Sequence, residues 1–161
     1  DFFRTMEDAS AMDLDWFWRG WFYTTDVTDI GIKNVKKFYA KPNSDRVEFV
    51  EDTSEGAGFK KDKGANDKYF YEITFDKPGG LVMPIIVEFT YKDGTKGRKT
   101  YPAQIWRLND KQVTKAIHSD KEIVNITVDP DLETADVDMT NNSWPKKQDN
   151  KFGKFKKKIK G

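Results

Sequence analysis

Residues 69–75 read YFYEITF and residues 85–91 read IIVEFTY, and these two segments decide the fold class. Apolar and polar residues alternate in both, which is the period of a β-strand with one buried face. The alternating apolar residues are Tyr69, Tyr71, Ile73 and Phe75, followed by Ile85, Val87, Phe89 and Tyr91. Residues 92–95, KDGT, contain an Asp-Gly pair that favours a hairpin turn. The sequence therefore predicts an antiparallel sheet.

Further strands are predicted on both sides of this hairpin. A return strand is expected over 96–108, with Pro102 at an edge or a bulge. Three apolar residues are expected to form an inward row: Val124, Ile126 and Val128. Shorter strands are expected at 28–40, 46–51, 113–118 and 134–140. Short antiparallel strands separated by turn signals indicate a mainly β fold, an antiparallel β-sandwich of the immunoglobulin-like type.

The first 23 residues are predicted to form a short N-terminal helical segment. Phe2, Phe3 and Met6 fit the spacing of one helix. A second apolar stripe falls at i, i+3, i+4 and i+7 and consists of Leu14, Phe17, Trp18 and Trp21. Two short helices cannot bury this much aromatic surface against each other. We therefore interpret the second stripe as interdomain packing residues that need a further surface to cover them.

The chain has 161 residues, no cysteine and a single histidine, His118. The lack of cysteine excludes thiol nucleophiles, disulfides, cysteine-ligated zinc and iron–sulfur clusters. One histidine cannot supply a two-histidine zinc site, and His118 is interpreted as a surface or edge residue. No run approaches the roughly 18 apolar residues of a membrane span, so no transmembrane helix is predicted.

The net charge of +1 conceals an acidic body and a basic tail. Residues 146–161 contain eight lysines and one acid, which leaves 20 basic and 26 acidic residues in 1–145. Eight lysines repel one another, so the tail is predicted to be flexible and dispensable for folding. The tail is a candidate for binding nucleic acid or an anionic membrane. Because the acidic body repels phosphate, no nucleic-acid partner is predicted.

The sequence also contains candidates for a calcium site and for a ligand platform, and for each of them we favour a purely structural role. One acidic run resembles a calcium loop in composition and contains Asp129, Asp131, Glu133, Asp136 and Asp138. It lacks the glycine and the closing glutamate of an EF-hand, so a solvated turn and edge strand is the preferred interpretation. Trp106 and Trp144 are candidates for a ligand platform, because a flat indole stacks on sugar rings, with core or interface packing as the preferred alternative.

Residues 7–10, EDAS, with Asp13, Leu14, Phe17 and Trp21 resemble a signature of the gluzincin aminopeptidases, the zinc family of aminopeptidase N. In that family a helix ending near E-D-A-S is followed by x-D-L-x-x-F-x-x-W, and the chain then enters a β-sandwich domain. Three later segments are similar to the C-terminal β-domain of secreted bacterial members: 102–107, 124–136 and 141–145.

The resemblance implies a helical stub from the end of a catalytic domain at 1–23 and a β-sandwich domain at 24–145, and the charge distribution adds the lysine-rich tail at 146–161. The resemblance also implies a zinc metallopeptidase parent, secreted or in the cell envelope. The chain is expected to be a fragment that contains only the non-catalytic end.

The family's H-E-x-x-H and G-x-M-E-N motifs do not occur in this sequence, so no catalytic residue, no metal ligand and no cofactor is assigned. The expected function is a scaffold that packs on the peptidase domain and shapes its cleft. Self-association through the helical stub is a further expectation. The alternative is a stand-alone module that binds glycan or extended peptide on a sheet face.

Overall fold

The computed structural model describes residues 2–40, 49–51 and 69–146. Two short helices come first, α1 (Phe2–Ser10) and α2 (Asp15–Tyr23). The strands are β1 (Gly31–Ala40), β2 (Phe49–Glu51), β3 (Tyr69–Asp76), β4 (Ile85–Tyr91), β5 (Lys96–Tyr101), β6 (Gln112–Ser119), β7 (Ile123–Val128) and β8 (Ser143–Trp144). The predictions made for residues 46–48 and 147–161 lie outside the described residues.

The strands form two antiparallel sheets, with the orders β2-β1-β3-β6 and β5-β4-β7-β8. Along β3 and β4 the buried positions alternate with half-buried ones, as the sequence predicts. Buried residues of both sheets contact one another in a single core, which includes Ile73 and Phe75 of β3 and Ile85 and Val87 of β4. The fold is therefore mainly β, with two short N-terminal helices, and is consistent with a β-sandwich.

One side chain connects the two sheets by hydrogen bonds as well as by packing. Tyr71 of β3 is fully buried, and its hydroxyl oxygen accepts the backbone N–H of Ile123, the first residue of β7, at 2.8 Å. The same hydroxyl lies 3.4 Å from the carbonyl oxygen of Ile123 and donates to it. A buried hydroxyl needs such partners, and here they fix the position of β7 against β3.

Two predicted strands differ from the structure. The return strand ends at Tyr101 rather than at residue 108, because Pro102 has no N–H to donate and is followed by a one-turn 3₁₀ helix (Ala103–Trp106). The strand expected at 134–140 is absent from the described residues, where this segment forms turns. Its carboxylates bond to nearby backbone N–H groups, which replaces the pairing of a strand.

The predicted inward row in β7 is wrong at its first position. Tyr91 pairs with Ile123 and Thr90 pairs with Asn125, so Val124 is an extra residue in a β-bulge. The bulge leaves Val124 exposed and turns Ile123 inward, while Ile126 is buried as predicted. A strict alternation cannot include this inserted residue.

Each sheet has one long edge strand that carries a lysine on its core-facing side. Lys115 of the edge strand β6 lies opposite buried Ile73. Lys99 of the edge strand β5 lies opposite buried Val87, and its Nζ is 5.0 Å from the ring centre of Tyr101. An inward-pointing charge disfavours pairing of an edge with a further strand, because that pairing would bury the ammonium group.

Replacing Lys115 by valine is expected to promote self-association through the β6 edge, since the charge that opposes strand addition is removed. Light scattering at high protein concentration should show dimers or larger species for Lys115→Val. Lys111→Val makes the same chemical change in the turn before β6 and serves as the control. Equal scattering by the two variants would contradict a protective role for Lys115.

Glu122 connects three parts of the structure at one end of the sheets. It accepts hydrogen bonds from Lys37 of β1 at 2.6 Å and from Lys92 of the β4–β5 hairpin at 2.8 Å. Burial on its own would raise the pKa of the Glu122 carboxyl, but the bonds from the two lysines outweigh it and hold the pKa below its ordinary value. The ionised form is therefore favoured by folding.

The lowered pKa gives Glu122 a defined effect on pH stability. Its contribution is fully present above the unfolded-state pKa and is lost as pH falls through the lower folded-state pKa. Glu122→Gln should therefore lower the melting temperature at about pH 7, by an amount that reflects roughly 1–2 kcal/mol, and should approach wild type at about pH 2. The control is Glu133→Gln, an exposed change. A pH-independent difference between Glu122→Gln and wild type would contradict the prediction.

Candidate interaction surface

The helices α1 and α2 form an antiparallel hairpin whose interior is aromatic. The rings of Phe3 and Trp18 stack with centres 4.5 Å apart, and Phe22 contacts Phe3 edge-on at 5.3 Å. Trp18 is the one residue of the two helices that is buried, with 7% of its surface exposed. The sequence predicts both apolar stripes, and the structure packs them against each other through this ring stack.

Large aromatic side chains remain on the outer side of this hairpin. Phe2 is 64% exposed, Phe22 58% and Tyr23 72%. Phe2, Phe22 and Tyr23 each lie within 6.4 Å of the ring of Phe3, so the exposed rings are contiguous. We call these four residues the aromatic patch. With about 150–250 Å² per aromatic side chain, its open area is on the order of 400 Å². Contiguous apolar patches of this size on a protein surface often mark interaction sites.

The four predicted packing residues are divided between the interior and the surface of the hairpin. Leu14 precedes α2, and its carbonyl accepts the N–H groups of Phe17 and Trp18. Phe17 is half-buried and lies 5.8 Å from the ring of Trp21, which is exposed. The stripe of Leu14, Phe17, Trp18 and Trp21 is therefore partly open. Phe22 and Tyr23 were not assigned a role from the sequence, although Phe22 lies at i+4 from Trp18.

A short turn attaches the hairpin to the sheets. Val27 pairs with Gly80, and its N–H and carbonyl bond to Gly79 and Leu81. Gly20 of α2 lies directly against the side chain of Leu81, where a Cβ would crowd that side chain. Gly79 also requires the absence of a side chain, because a Cβ there would meet backbone atoms of the segment after α2. These contacts join α2 and the segment after it to the turn between β3 and β4.

Lys77 stabilises this turn from the core side. It is buried, its Nζ donates to the carbonyl of Gly80, and the ammonium lies 5.9 Å from the ring centre of Trp106. Burial lowers the pKa of Lys77, whereas the charges of Asp110 and Asp26 oppose that change. The lysine therefore acts as an internal donor to the turn that positions the hairpin.

Trp106 presents no open ring face for sugar stacking. Trp106 is 3% exposed and its Nε1 donates to the carbonyl of Met83 at 2.9 Å. Trp144 is half-buried, packs against the core and pairs with Ile126. The platform interpretation does not hold for Trp106, because its indole is enclosed, and core packing accounts for both residues.

The acidic run at 129–138 forms the connection between β7 and β8, and several of its carboxylates bond to the protein's own donors. Buried Asp129 accepts N–H groups of Glu133 and Thr134 and the Thr134 hydroxyl. Asp136 accepts the N–H of Ile30, which begins the approach to β1. These carboxylate oxygens bond to the protein's own donors, and the run organises the connection between β7 and β8.

One group of acidic side chains among the described residues has metal-ligand proximity. Glu7, Asp13 and Asp15 place one carboxylate oxygen each within 4.8 Å of one another at the turn between α1 and α2. Exposed carboxylates of this kind often occur without a metal, and two of the three already accept backbone N–H groups. His118 lies exposed on the edge strand β6, as predicted, and is not part of this group.

Comparison with known proteins gave no relative. No protein-family model matches the chain, no curated protein matches it and no solved structure matches it. Over the described ranges, no helix is both long enough and apolar enough to cross a membrane. The aromatic patch is therefore the feature on which a functional argument rests, and the resemblance to gluzincin aminopeptidases stays a prediction.

The aromatic patch is expected to bind a neutral hydrophobic dye such as Nile red, because its rings are exposed and contiguous. Phe22→Ser/Tyr23→Ser should reduce the dye fluorescence and any concentration-dependent light scattering by most of its amplitude. Leu108→Ser, at a fully exposed leucine far along the chain, is the control. The prediction is contradicted if wild type is monomeric at high micromolar concentration and does not change the fluorescence of the dye.

Proposed function

We propose that this chain is the non-catalytic β-domain of a zinc aminopeptidase-like metallopeptidase, a scaffold that packs on the peptidase domain through the α1–α2 hairpin. The observation that carries the proposal is the aromatic patch, whose rings nothing in the described structure covers. An apolar surface held in one position is a docking surface, since covering it removes aromatic area from water.

The position of the gluzincin-like residues supports this partner. The segment EDAS is the end of α1. Asp13 and Leu14 directly precede α2, and Phe17 and Trp21 lie within it. In the family that these residues resemble, the corresponding helices end the catalytic domain. The same hairpin thus carries both the signature and the exposed aromatic rings, and the partner it fits is that catalytic domain.

The residues of this chain do not fit the zinc site that the family implies. The sequence has one histidine, and His118 stands exposed on β6, far along the chain from the acidic group at the hairpin turn. A gluzincin site needs two histidines and a glutamate on neighbouring helices. The proposal therefore assigns zinc and the hydrolytic step to the partner domain, and assigns to this chain only packing and the shaping of the cleft.

We further propose that the two sheets form a sandwich of the immunoglobulin-like type. Antiparallel sheets of four strands with one shared core support this assignment. So does the order of the chain, in which β1 pairs with β3 and β4 pairs with β7, so that strands distant in sequence become neighbours.

Co-expression tests the scaffold proposal. The tagged chain should co-purify with the catalytic domain of a gluzincin aminopeptidase expressed without its β-domain. Phe22→Ser/Tyr23→Ser should weaken recovery at least about tenfold, since each buried aromatic contributes on the order of 1–2 kcal/mol or more to such a contact. Leu108→Ser should leave recovery unchanged.

Two outcomes would contradict the proposal. One is the failure of wild type to co-purify with any tested catalytic domain, while the chain is folded by circular dichroism. The other is equal recovery of the patch variant and wild type, which would place the contact elsewhere on the chain.

A further inference from the structure

We propose that the connection between β7 and β8, together with the segment that leads into β1, binds one calcium ion. The carboxylate ligands are Asp29, Asp136 and Asp138, and the neutral ligands include the side-chain oxygens of Asn142 and Thr28. The donors come from two segments that are about a hundred residues apart in the chain, so the site is not a single calcium-binding loop. The proposal does not depend on the proposed function.

Three half-buried carboxylates lie where these two segments meet. Asp136 accepts the N–H of Ile30 at 3.2 Å, which brings the connection against the start of β1. Asp29, the residue before Ile30, is close enough to Asp136 and Asp138 for their charges to act on it. We call Asp29, Asp136 and Asp138 the Asp29 cluster. Each of the three is partly shielded from water, so their mutual repulsion is screened less than on an open surface.

No positive charge compensates the Asp29 cluster among the described residues. Burial raises the pKa of the Asp29 carboxyl, and the hydrogen bond from Asn141 opposes this change. The charges of Asp136, Asp138 and Asp76 raise the pKa further, and no basic side chain takes part in this balance. The ion pairs of the described structure include no member of the cluster. A bound cation would supply the missing positive charge.

The observation that points to a ligand is a buried amide oxygen of Asn142. This residue is 5% exposed, and its Nδ2 donates to Asp136 at 3.2 Å, so the amide is directed at the Asp29 cluster. The Oδ1 atom of the same amide is buried and accepts no hydrogen bond within the described part of the chain. A buried carbonyl oxygen without a partner is costly, and it therefore calls for a donor or a cation.

Two more unpartnered oxygens surround the Asp29 cluster. Thr28 is 3% exposed, its Oγ1 has no described partner, and its carbonyl accepts the N–H of Val137 at 3.0 Å. Asn141 donates its Nδ2 to Asp29 at 2.7 Å, and its buried Oδ1 is also unpartnered. Five buried side-chain polar atoms lack a partner among the described residues, and three of them lie here. Such a concentration indicates a missing ligand rather than scattered defects.

The chemistry of these donors favours calcium. All of them are carboxylate, amide or hydroxyl oxygens, and calcium takes about six to eight such oxygens, including waters, in a flexible geometry. Magnesium requires a tighter octahedron, and zinc is bound mainly through nitrogen or sulfur. A water molecule would satisfy the Asn142 oxygen, but it would leave the charge of the Asp29 cluster uncompensated.

The spacing of the carboxylates also favours a large and adaptable ion. Three carboxylates within 4.8 Å of one another occur in the described structure only at Glu7, Asp13 and Asp15, on the exposed turn between α1 and α2. The Asp29 cluster is wider, so the ion is expected to draw its carboxylates inward and to hold the β7–β8 connection against the start of β1. Calcium binding should therefore stabilise the fold.

Thermal unfolding of the wild-type chain tests the proposal. Melting is compared in EDTA, in about 10 mM CaCl2 and in about 10 mM MgCl2, with the ionic strength matched by NaCl. Calcium should raise the melting temperature by about 3 °C or more, since this concentration exceeds a dissociation constant of about 10⁻⁴–10⁻³ M, typical of weak calcium modules. Magnesium should give less than about half of that shift. Isothermal titration with CaCl2 should show one site.

The variant Asp29→Asn assigns the effect to the Asp29 cluster. It keeps an oxygen for the Asn141 amide and removes one charge, so the calcium shift should fall below about half of its wild-type size. In EDTA the variant should melt no lower than wild type, because the ionised form of Asp29 is disfavoured by folding. The matched control is Glu7→Gln/Asp13→Asn/Asp15→Asn, which should keep the full calcium shift.

Four outcomes would overturn the proposal. The absence of a calcium shift in wild type would mean that water, and not a cation, satisfies the Asn142 oxygen. An equal shift with magnesium would indicate general charge screening. A full shift in Asp29→Asn, or a loss of the shift in the control variant, would place the ion elsewhere, in the second case at the turn between α1 and α2. The two metal series on wild type do not depend on the folding of any variant.

Discussion

The buried face of β3 is the constraint on which the other parts of the structure depend. Its alternating side chains contact residues of the second sheet in one core. Tyr71 fixes the position of one sheet relative to the other, because its hydroxyl accepts the N–H of Ile123 and thereby sets where β7 begins. Apolar contact alone tolerates sliding of one sheet over the other, whereas a buried hydrogen bond has one satisfied position. The turn after β3, held by Lys77, then determines where the helical hairpin attaches.

Acidic side chains bond to backbone N–H groups in both acidic regions of the molecule. At 129–138 the carboxylates of Asp129 and Asp136 accept backbone N–H groups of the protein, among them that of Ile30, and so organise a connection that contains no strand. At the turn between α1 and α2, Glu7 and Asp13 likewise accept backbone N–H groups, and neither they nor Asp15 form an ion pair with another described residue.

The two sheets and the α1–α2 hairpin differ in how much of their apolar surface is covered in the described structure. The two sheets cover their apolar faces, and a lysine on the core-facing side of β5 and of β6 disfavours strand addition at those edges. The hairpin covers Trp18 but leaves Phe22 and Tyr23 open. This contrast favours the helices over a sheet face as the site of the proposed contact, and it agrees with the enclosure of Trp106 within the core.

The sequence by itself determined the two helices, the alternation of β3 and β4 and the Asp-Gly hairpin, because each depends on neighbours a few residues apart. It also identified both apolar stripes of the hairpin. Only the tertiary structure decided the bulge at Val124, which depends on the pairing of β7 with β4, and the bond between Asp136 and Ile30, which lie about a hundred residues apart. The end of β5 at Tyr101 and the turns at 134–140 have causes that are local in sequence, Pro102 and the carboxylates of Asp136 and Asp138. The openness of Phe22, by contrast, was undetermined, since exposure depends on what packs nearby and not on spacing along a helix.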